Sequence, residues 1–330
     1  MISSLASHII LTLFILGIAS PCQALDWHDA APSDIWNVRL LPGQTSRVFT
    51  LYGCPGDLAQ VKRLIAVMKK EGLGNGFDPG PASVAGNANL FAYFARINWP
   101  VVGYPPFGGE FQVKHGRAQL TDADETALQV MDDHGTFMAI QLGEWGYYFH
   151  NLSINEQWHR NVFGDDFEQF KHVIKPPEFK GYDSQPKSRK ACYDQVRDYF
   201  LTRHRAMRAR TISVTGHSHY EAYAAEWGSR VVGLELGENI AFTQSKIAFA
   251  RGAARQWNKP WSIQVSPWFH GSCTTKGPLT IDDSNYARGL DAGHSLSFYE
   301  RLWLHSWFAG AAMVTPENSI SIFFDQGDPA

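Results

Sequence analysis

Two stretches of the chain share one pattern. Ala139-Ile140-Gln141-Leu142-Gly143-Glu144-Trp145 and Val232-Gly233-Leu234-Glu235-Leu236-Gly237-Glu238-Asn239 are each a short apolar run with the character of a buried strand, and each ends in Leu-Gly-Glu. A glycine at a strand exit admits backbone angles that other residues resist, so it can turn the next carboxylate back over the strand end. Two carboxylates at matching heights above two buried parallel strands are the equipment for glycosidic bond cleavage, which uses one protonated acid and one nucleophile or base.

The elements that would hold these residues alternate along the chain. Strand-like runs at Arg47–Tyr52, Gly72–Phe77, Pro100–Gly103, Phe137–Leu142, Thr211–Thr215, Val231–Glu235, Trp261–Val265 and Ala311–Val314 are separated by helix-period segments. The segment opened by Asp57 places Leu58, Val61, Leu64, Ile65 and Met68 on one face. Eight strands alternating with helices predict a (β/α)8 TIM barrel, a fold of about 250 residues, with its site at the C-terminal ends of the strands. An open doubly wound sheet alternates similarly, but Tyr52-Gly53-Cys54-Pro55-Gly56-Asp57 lacks a phosphate-loop pattern. Residues 149–189, polar and rich in Pro, Lys and Asp, are expected as a long loop over the barrel mouth. After Val314 no helix of normal length follows, so a barrel over residues 25–330 is expected to lack its last helix, to be truncated at its C-terminus, and to expose apolar surface on its first and eighth strands.

The strand ends carry the chemistry. Asp78 follows strand two, Glu144 strand four, Glu235 and Glu238 strand six, and Glu317 strand eight. Strands four and six would be separated by one strand, with backbones roughly 9–10 Å apart. Inward-leaning glutamates would then lie between about 5 and 9 Å apart, a range that covers both retention and inversion. Glu144, beside the apolar Trp145, is assigned as the acid and Glu238 as nucleophile or base. Glu235 is assigned to a sugar hydroxyl or to tuning its neighbours, and Glu317 stands in reserve. Trp145, Tyr147, His217, His219, Tyr220, Asn239 and Trp268 are the substrate-binding candidates. His217-Ser218-His219 also has the form of a zinc-binding pair, but it lies on strand five without an evident set of further ligands, so no metal and no cofactor is expected.

Around strands four, six, seven and eight the chain resembles the broad superfamily of (β/α)8 glycoside hydrolases. The stretch from Gly233 to Trp268, with Glu235-Leu236-Gly237-Glu238-Asn239, Arg251-Gly252-Ala253-Ala254-Arg255 and Lys259-Pro260-Trp261, is similar to a pattern in uncharacterised bacterial glycosidase-like proteins. The resemblance implies hydrolysis of an oligo- or polysaccharide. The best-known clan of such barrels has Asn before its strand-four acid and a strand-seven nucleophile. Here Gly143 precedes Glu144 and strand seven ends without a carboxylate, so that clan's roles do not transfer. A metal-dependent barrel hydrolase and a non-catalytic glycan-binding barrel are the alternatives.

Composition bounds the rest. With 29 basic against 32 acidic residues among 330, nothing predicts an electrostatic grip on nucleic acid or on a membrane. His8 to Ala19 is an apolar run followed by Ser20-Pro21-Cys22-Gln23-Ala24. Residues 1–24 therefore read as a signal peptide cleaved after Ala24, with a secreted or periplasmic product that keeps no stable membrane insertion. The mature chain would retain Cys54, Cys192 and Cys273, enough for one disulfide and a free thiol or for three thiols.

Overall fold

The alternation closes into a barrel. In the computed structural model the described residues are 38–78, 87–103, 122–142, 144–146, 186–214, 220–237, 242–269, 271–283 and 285–319, all within one unit, Val38–Ala330. The first half runs β1 (Val48–Leu51), α1 (Leu58–Glu71), β2 (Gly76–Phe77), α2 (Ala88–Arg96), β3 (Val101–Gly103), α3 (Asp122–Asp133) and β4 (Phe137–Gln141). Then come α4 (Arg189–Ala206), β5 (Thr211–Ile212), α5 (Glu221–Glu226), β6 (Val232–Leu236), α6 (Thr243–Gln256) and β7 (Trp261–Val265). Four short strands follow, β8 (Trp268–Phe269), β9 (Ser272–Thr274), β10 (Thr280–Ile281) and β11 (Ala287–Gly289), before α7 (Leu296–Phe308) and β12 (Met313–Pro316), the eighth barrel strand.

Local chemistry sets the helix ends. The Asp57 carboxylate accepts the Gln60 N–H at 2.9 Å and starts α1. Gly72 ends it in the left-handed region at φ 68°, a conformation that a side chain resists. Ser188 and Ser295 cap α4 and α7 in the same way as Asp57.

The barrel sheet has the order β5-β4-β3-β2-β1-β12-β7-β6, with every pairing parallel. Its edges meet where Ile212 bridges Val231 in parallel. There the Arg230 N–H donates to Thr211 O at 2.7 Å, and the Ser213 N–H to Val231 O at 3.1 Å. The sheet is thus an all-parallel, nearly closed eight-stranded barrel, and the open-sheet alternative is set aside.

Strand alternation sorts side chains into two cores. Leu51, Phe77, Val101, Phe137 and Ile140 point outward onto α1–α4, and Leu234, Leu236, Ile263, Val265 and Val314 do so on the other side. Val48, Val102, Ala139, Ile212 and Met313 fill the barrel at the N-terminal ends, with Leu41 against them. This layer leaves no room at two inward positions. A Cβ on Gly76 would come 2.5 Å from Val48 Cγ1, and one on Gly233 would come 2.8 Å from Ile212 Cγ1 and Val214 Cγ2.

One element is new, one expectation changes and one open alternative is settled. The small sheet of order β10-β11-β9-β8 was not foreseen, because runs of two or three residues carry no readable period. The apolar side chains of the first and eighth strands are covered. Val48, Leu51, Met313 and Val314 are buried, and Phe49 meets Trp303 of α7 edge-on at 5.4 Å. Cys54, Cys192 and Cys273 are free thiols, the three-thiol alternative. The expected signal peptide, most of the loop 149–189 and residues 320–330, where a last helix would lie, fall outside the described residues. Among the described residues no helix is long and apolar enough to cross a membrane.

Candidate active site

The period of two that builds the apolar plug also builds the site. Following the inward positions toward the C-terminal ends, Val48 gives way to Thr50, Gly76 to Asp78, Ala139 to Gln141 and Gly233 to Glu235. Likewise Ser262 gives way to Gln264 and Ser266, and Met313 to Thr315 and Glu317. The lower barrel is oily and the upper barrel is polar.

Two of the hydrogen bonds confirm the inward direction, because they join strands that are not neighbours in the sheet. Gln141 Nε2 on β4 donates to Gln264 Oε1 on β7 at 2.5 Å, although β5 and β6 separate those strands. Thr50 Oγ1 donates to Thr315 Oγ1 at 2.8 Å, and Thr315 Oγ1 donates to Asp78 Oδ2 at 2.8 Å. With its oxygen already accepting from Gln141, the Gln264 amide has its N–H group left to donate to Glu317, which also accepts from Ser266. The Glu317 backbone is pinned by its N–H to Val265 O at 2.8 Å.

Four carboxyls meet in this environment, and each is harder to ionise than usual. Burial pushes Glu317 up to about 7, the charge of Glu144 adds to this, and the bonds from Ser266 and Gln264 oppose it. Burial likewise pushes Asp78 up to about 7, with Thr315 opposing and the charge of Glu317 adding. Glu235 is raised well above the carboxylate range by burial, then by Glu144 and Glu317, while Lys246 of α6 pulls the other way. Glu144 is raised by burial alone and is half-buried, whereas Asp78 and Glu235 are 2% and 5% exposed. Asp78 Oδ1, Glu235 Oε2 and Glu317 Oε2 are shut off from solvent without a hydrogen-bond partner among the described residues. Acceptors left empty in a buried polar chamber are suited to a ligand rich in hydroxyl donors.

The predicted site residues divide. Glu144, Glu235 and Glu317 come together. Glu238, Tyr147, His217, His219 and Asn239 lie outside the described residues. Trp145 is not a sugar platform: its ring is fully buried, 5.1 Å from Phe200 and 5.5 Å from Tyr220, and also against Tyr199 and Trp227. It faces the helix layer and anchors the loop that carries Glu144. Tyr220 stacks on it there. Trp268 is half-exposed on β8, its N–H donating to Ser266 Oγ at 3.3 Å, one step from Glu317.

Sequence reading missed the polar frame of Thr50, Gln141, Gln264, Ser266 and Thr315; two-residue spacing from the apolar inward positions was the signal that could have found it. It also missed His294. That imidazole is buried, packed 4.4 Å from Phe298 and 5.1 Å from Phe269, and its Nε2 lies 3.2 Å from Gly237 O. It ties the backbone between Glu235 and Glu238 to the start of α7, and no local pattern announces it.

Among the described residues no three His, Cys, Asp or Glu side chains are grouped to hold a metal ion. Comparison of the chain with protein-family models, with curated proteins and with solved structures gave no match. What the fold and site define is therefore a class by geometry: a parallel (β/α) barrel with a carboxylate-lined chamber at its C-terminal mouth.

Proposed function

We propose that the protein is an exported glycoside hydrolase that cleaves an oligo- or polysaccharide by a two-carboxylate mechanism. The observation that carries this reading is the meeting of Glu144 and Glu317 in one buried polar environment, where burial raises the proton affinity of both and the charge of Glu144 raises that of Glu317 further. Neighbouring like charges resist double ionisation, so one of the two carboxyls favours its protonated form while the other ionises. One proton donor beside one carboxylate is what cleavage at an anomeric carbon requires.

The roles follow from surroundings. Ser266 and Gln264 donate to Glu317 and oppose the effect of burial on it, so that it can ionise near neutrality and serve as nucleophile or as base to a water. Glu144 lies nearer solvent, where a leaving group enters and departs, and protonates the glycosidic oxygen. Asp78 and Glu235 take sugar hydroxyls on their open oxygens. Glu238 remains the rival for the Glu317 role.

The experiment is a polysaccharide panel with the purified protein and single Glu→Gln variants. Glu144→Gln and Glu317→Gln are each expected to lower turnover at least about 10²-fold, the lower end for general acid–base catalysis. Their combination should cost little more than either alone. A full loss in Glu238→Gln with near-normal Glu317→Gln would move the nucleophile to strand six. No hydrolysis of any glycan would reject the proposal and favour a binding barrel. Export is tested by N-terminal sequencing of secreted protein, which should begin after Ala24.

A further inference from the structure

The small sheet after β7 has no task in the proposed hydrolysis. Trp268 on β8 and Arg288 on β11 are both register partners of Cys273 on β9, so the three side chains share one face. The other face, with Phe269 and Thr274, packs against His294. The Cys273 thiol meets Asn318 and feels the charges of both Arg288 and Glu317. Asn318 follows Glu317, and the Trp268 backbone N–H bonds Ser266 Oγ, so the Trp268–Arg288 pair lies beside the barrel mouth.

Arg288 reaches across Cys273 and sets its guanidinium 5.2 Å from the centre of the Trp268 ring. Its Nε donates to Asp282 Oδ2 at 3.0 Å, and Asp282 Oδ1 accepts the Tyr286 N–H at 3.0 Å. The Tyr286 ring closes the edge of Trp268 at 5.9 Å. The group is thus oriented from two sides. Its terminal nitrogens make no hydrogen bond to any described residue, and the side chain is 42% exposed. A guanidinium fixed at Nε with an open fork matches a planar carboxylate through two parallel hydrogen bonds. The half-exposed indole that it lies over offers its remaining flat surface to the apolar face of a sugar ring. A cation is also what an anionic sugar would need next to Asp78, Glu144, Glu235 and Glu317.

We propose that Trp268 and Arg288 form a subsite for a uronic acid, the ring of Trp268 under the sugar and the Arg288 fork on its carboxylate, so that the substrate is an acidic polysaccharide. This rests on the reading of the barrel as a sugar-processing site, and its test reads binding apart from cleavage. The full chain carrying Glu144→Gln and Glu317→Gln is run in native gels containing polygalacturonate, alginate or hyaluronan, and in gels containing hydroxyethylcellulose, galactomannan or a sulfated galactan. Retardation by at least one uronate polymer is expected, stronger than by any other gel. Adding Arg288→Gln should weaken apparent affinity at least tenfold, and Arg288→Lys, which keeps the charge without the fork, should fall between. Thermal midpoints within a few degrees of the parent would establish that these variants fold, and Arg288→Lys alone decides the matter if Arg288→Gln does not. No retardation by any uronate gel, equal or stronger retardation by neutral or sulfated polymers, or unchanged binding in Arg288→Gln would overturn the subsite. Uronate binding without cleavage by the unsubstituted protein would leave the subsite standing and remove the hydrolysis. Cleavage of neutral glycans unaffected by Arg288→Gln would do the reverse.

Discussion

Asp78 shows how a single side chain joins site chemistry to stability. Its carboxyl titrates at about 7 in the fold, against 3.8 ordinarily, with burial as the main cause. Between about pH 4 and 7 the folded state keeps a proton that the unfolded chain releases. Stability therefore falls as pH rises through that window, by on the order of 4 kcal/mol for this group. Asp78→Asn keeps an acceptor for Thr315 and removes the titration. It is expected to raise the thermal midpoint at pH 8, to change it little at pH 4, and to impair turnover by withdrawing a hydroxyl ligand. Thermal unfolding at the two pH values checks the first part; an equal shift at both would show that the carboxyl does not titrate as described. A gain in stability with a loss in activity is the usual signature of a site residue kept against the interest of the fold.

Among the elements, the loop after β4 and the exit of β6 depend on side chains far from the reacting atoms. Trp145 drives the first into the outer core among Tyr199, Phe200, Tyr220 and Trp227. Trp145→Ala should destabilise by about 3–5 kcal/mol, the range for emptying a large aromatic site, measured by denaturant unfolding. A change below about 1 kcal/mol, typical of a surface position, would mean that the indole is not packed as described. His294 holds the second through Gly237 O. In His294→Phe the ring packing persists and the hydrogen bond is lost. Amide exchange over 232–242 should then speed up while the exchange of β7 stays unchanged, and kcat should fall more than KM rises. Uniform loss of protection across the barrel would assign His294 a general packing role instead.

At the scale of the whole molecule, closure and pH response are the collective properties. The β5–β6 seam rests on one bridge and a few backbone bonds, whereas β6 and β7 are in register over five residues. Local opening follows thinly bonded boundaries, so exchange at Arg230 and Ser213 should be faster than in β6 and β7. Equal protection would make the seam as firm as the other pairings. The acid side has its own determinant. His204, buried on Phe200 and bonded through Nδ1 to Thr211 Oγ1 at 2.6 Å, titrates at about 4, chiefly through burial, with the charges of Lys259 and Arg205 adding. Its stabilising effect is complete above about pH 6.5 and is lost as pH falls toward 4, opposite in sign to the effect of Asp78. Glu317, also raised to about 7, acts in the same direction as Asp78. Removing Asp78 should therefore leave less to oppose His204, so that between pH 6.5 and 4 the midpoint of Asp78→Asn falls relative to that of the parent; a constant difference between the two profiles would sink this account.

The eight-fold alternation, the helix start at Asp57 and the carboxylates at the strand ends were legible in the sequence, because the periods of helix and strand and the chemistry of a cap are local. Strand β7 was legible to the residue as Trp261–Val265, since a buried parallel strand is a continuous apolar run bounded by turns. The direction in which a residue faces was not local. Trp145 is adjacent to Glu144 in sequence, yet one side chain enters the helix layer and the other the mouth, because the chain leaves β4 across the wall between two cores. The Gln141–Gln264 bond joins residues 123 apart, and that distance closes only when the barrel does. The raised proton affinities of Asp78, Glu235 and Glu317 belong to burial and mutual repulsion, which no single segment possesses. Residue types set which chemistry was available at the strand ends; the closed sheet decided which carboxyls share a chamber, which oxygens remain unpaired, and which part of the small sheet lies beside them.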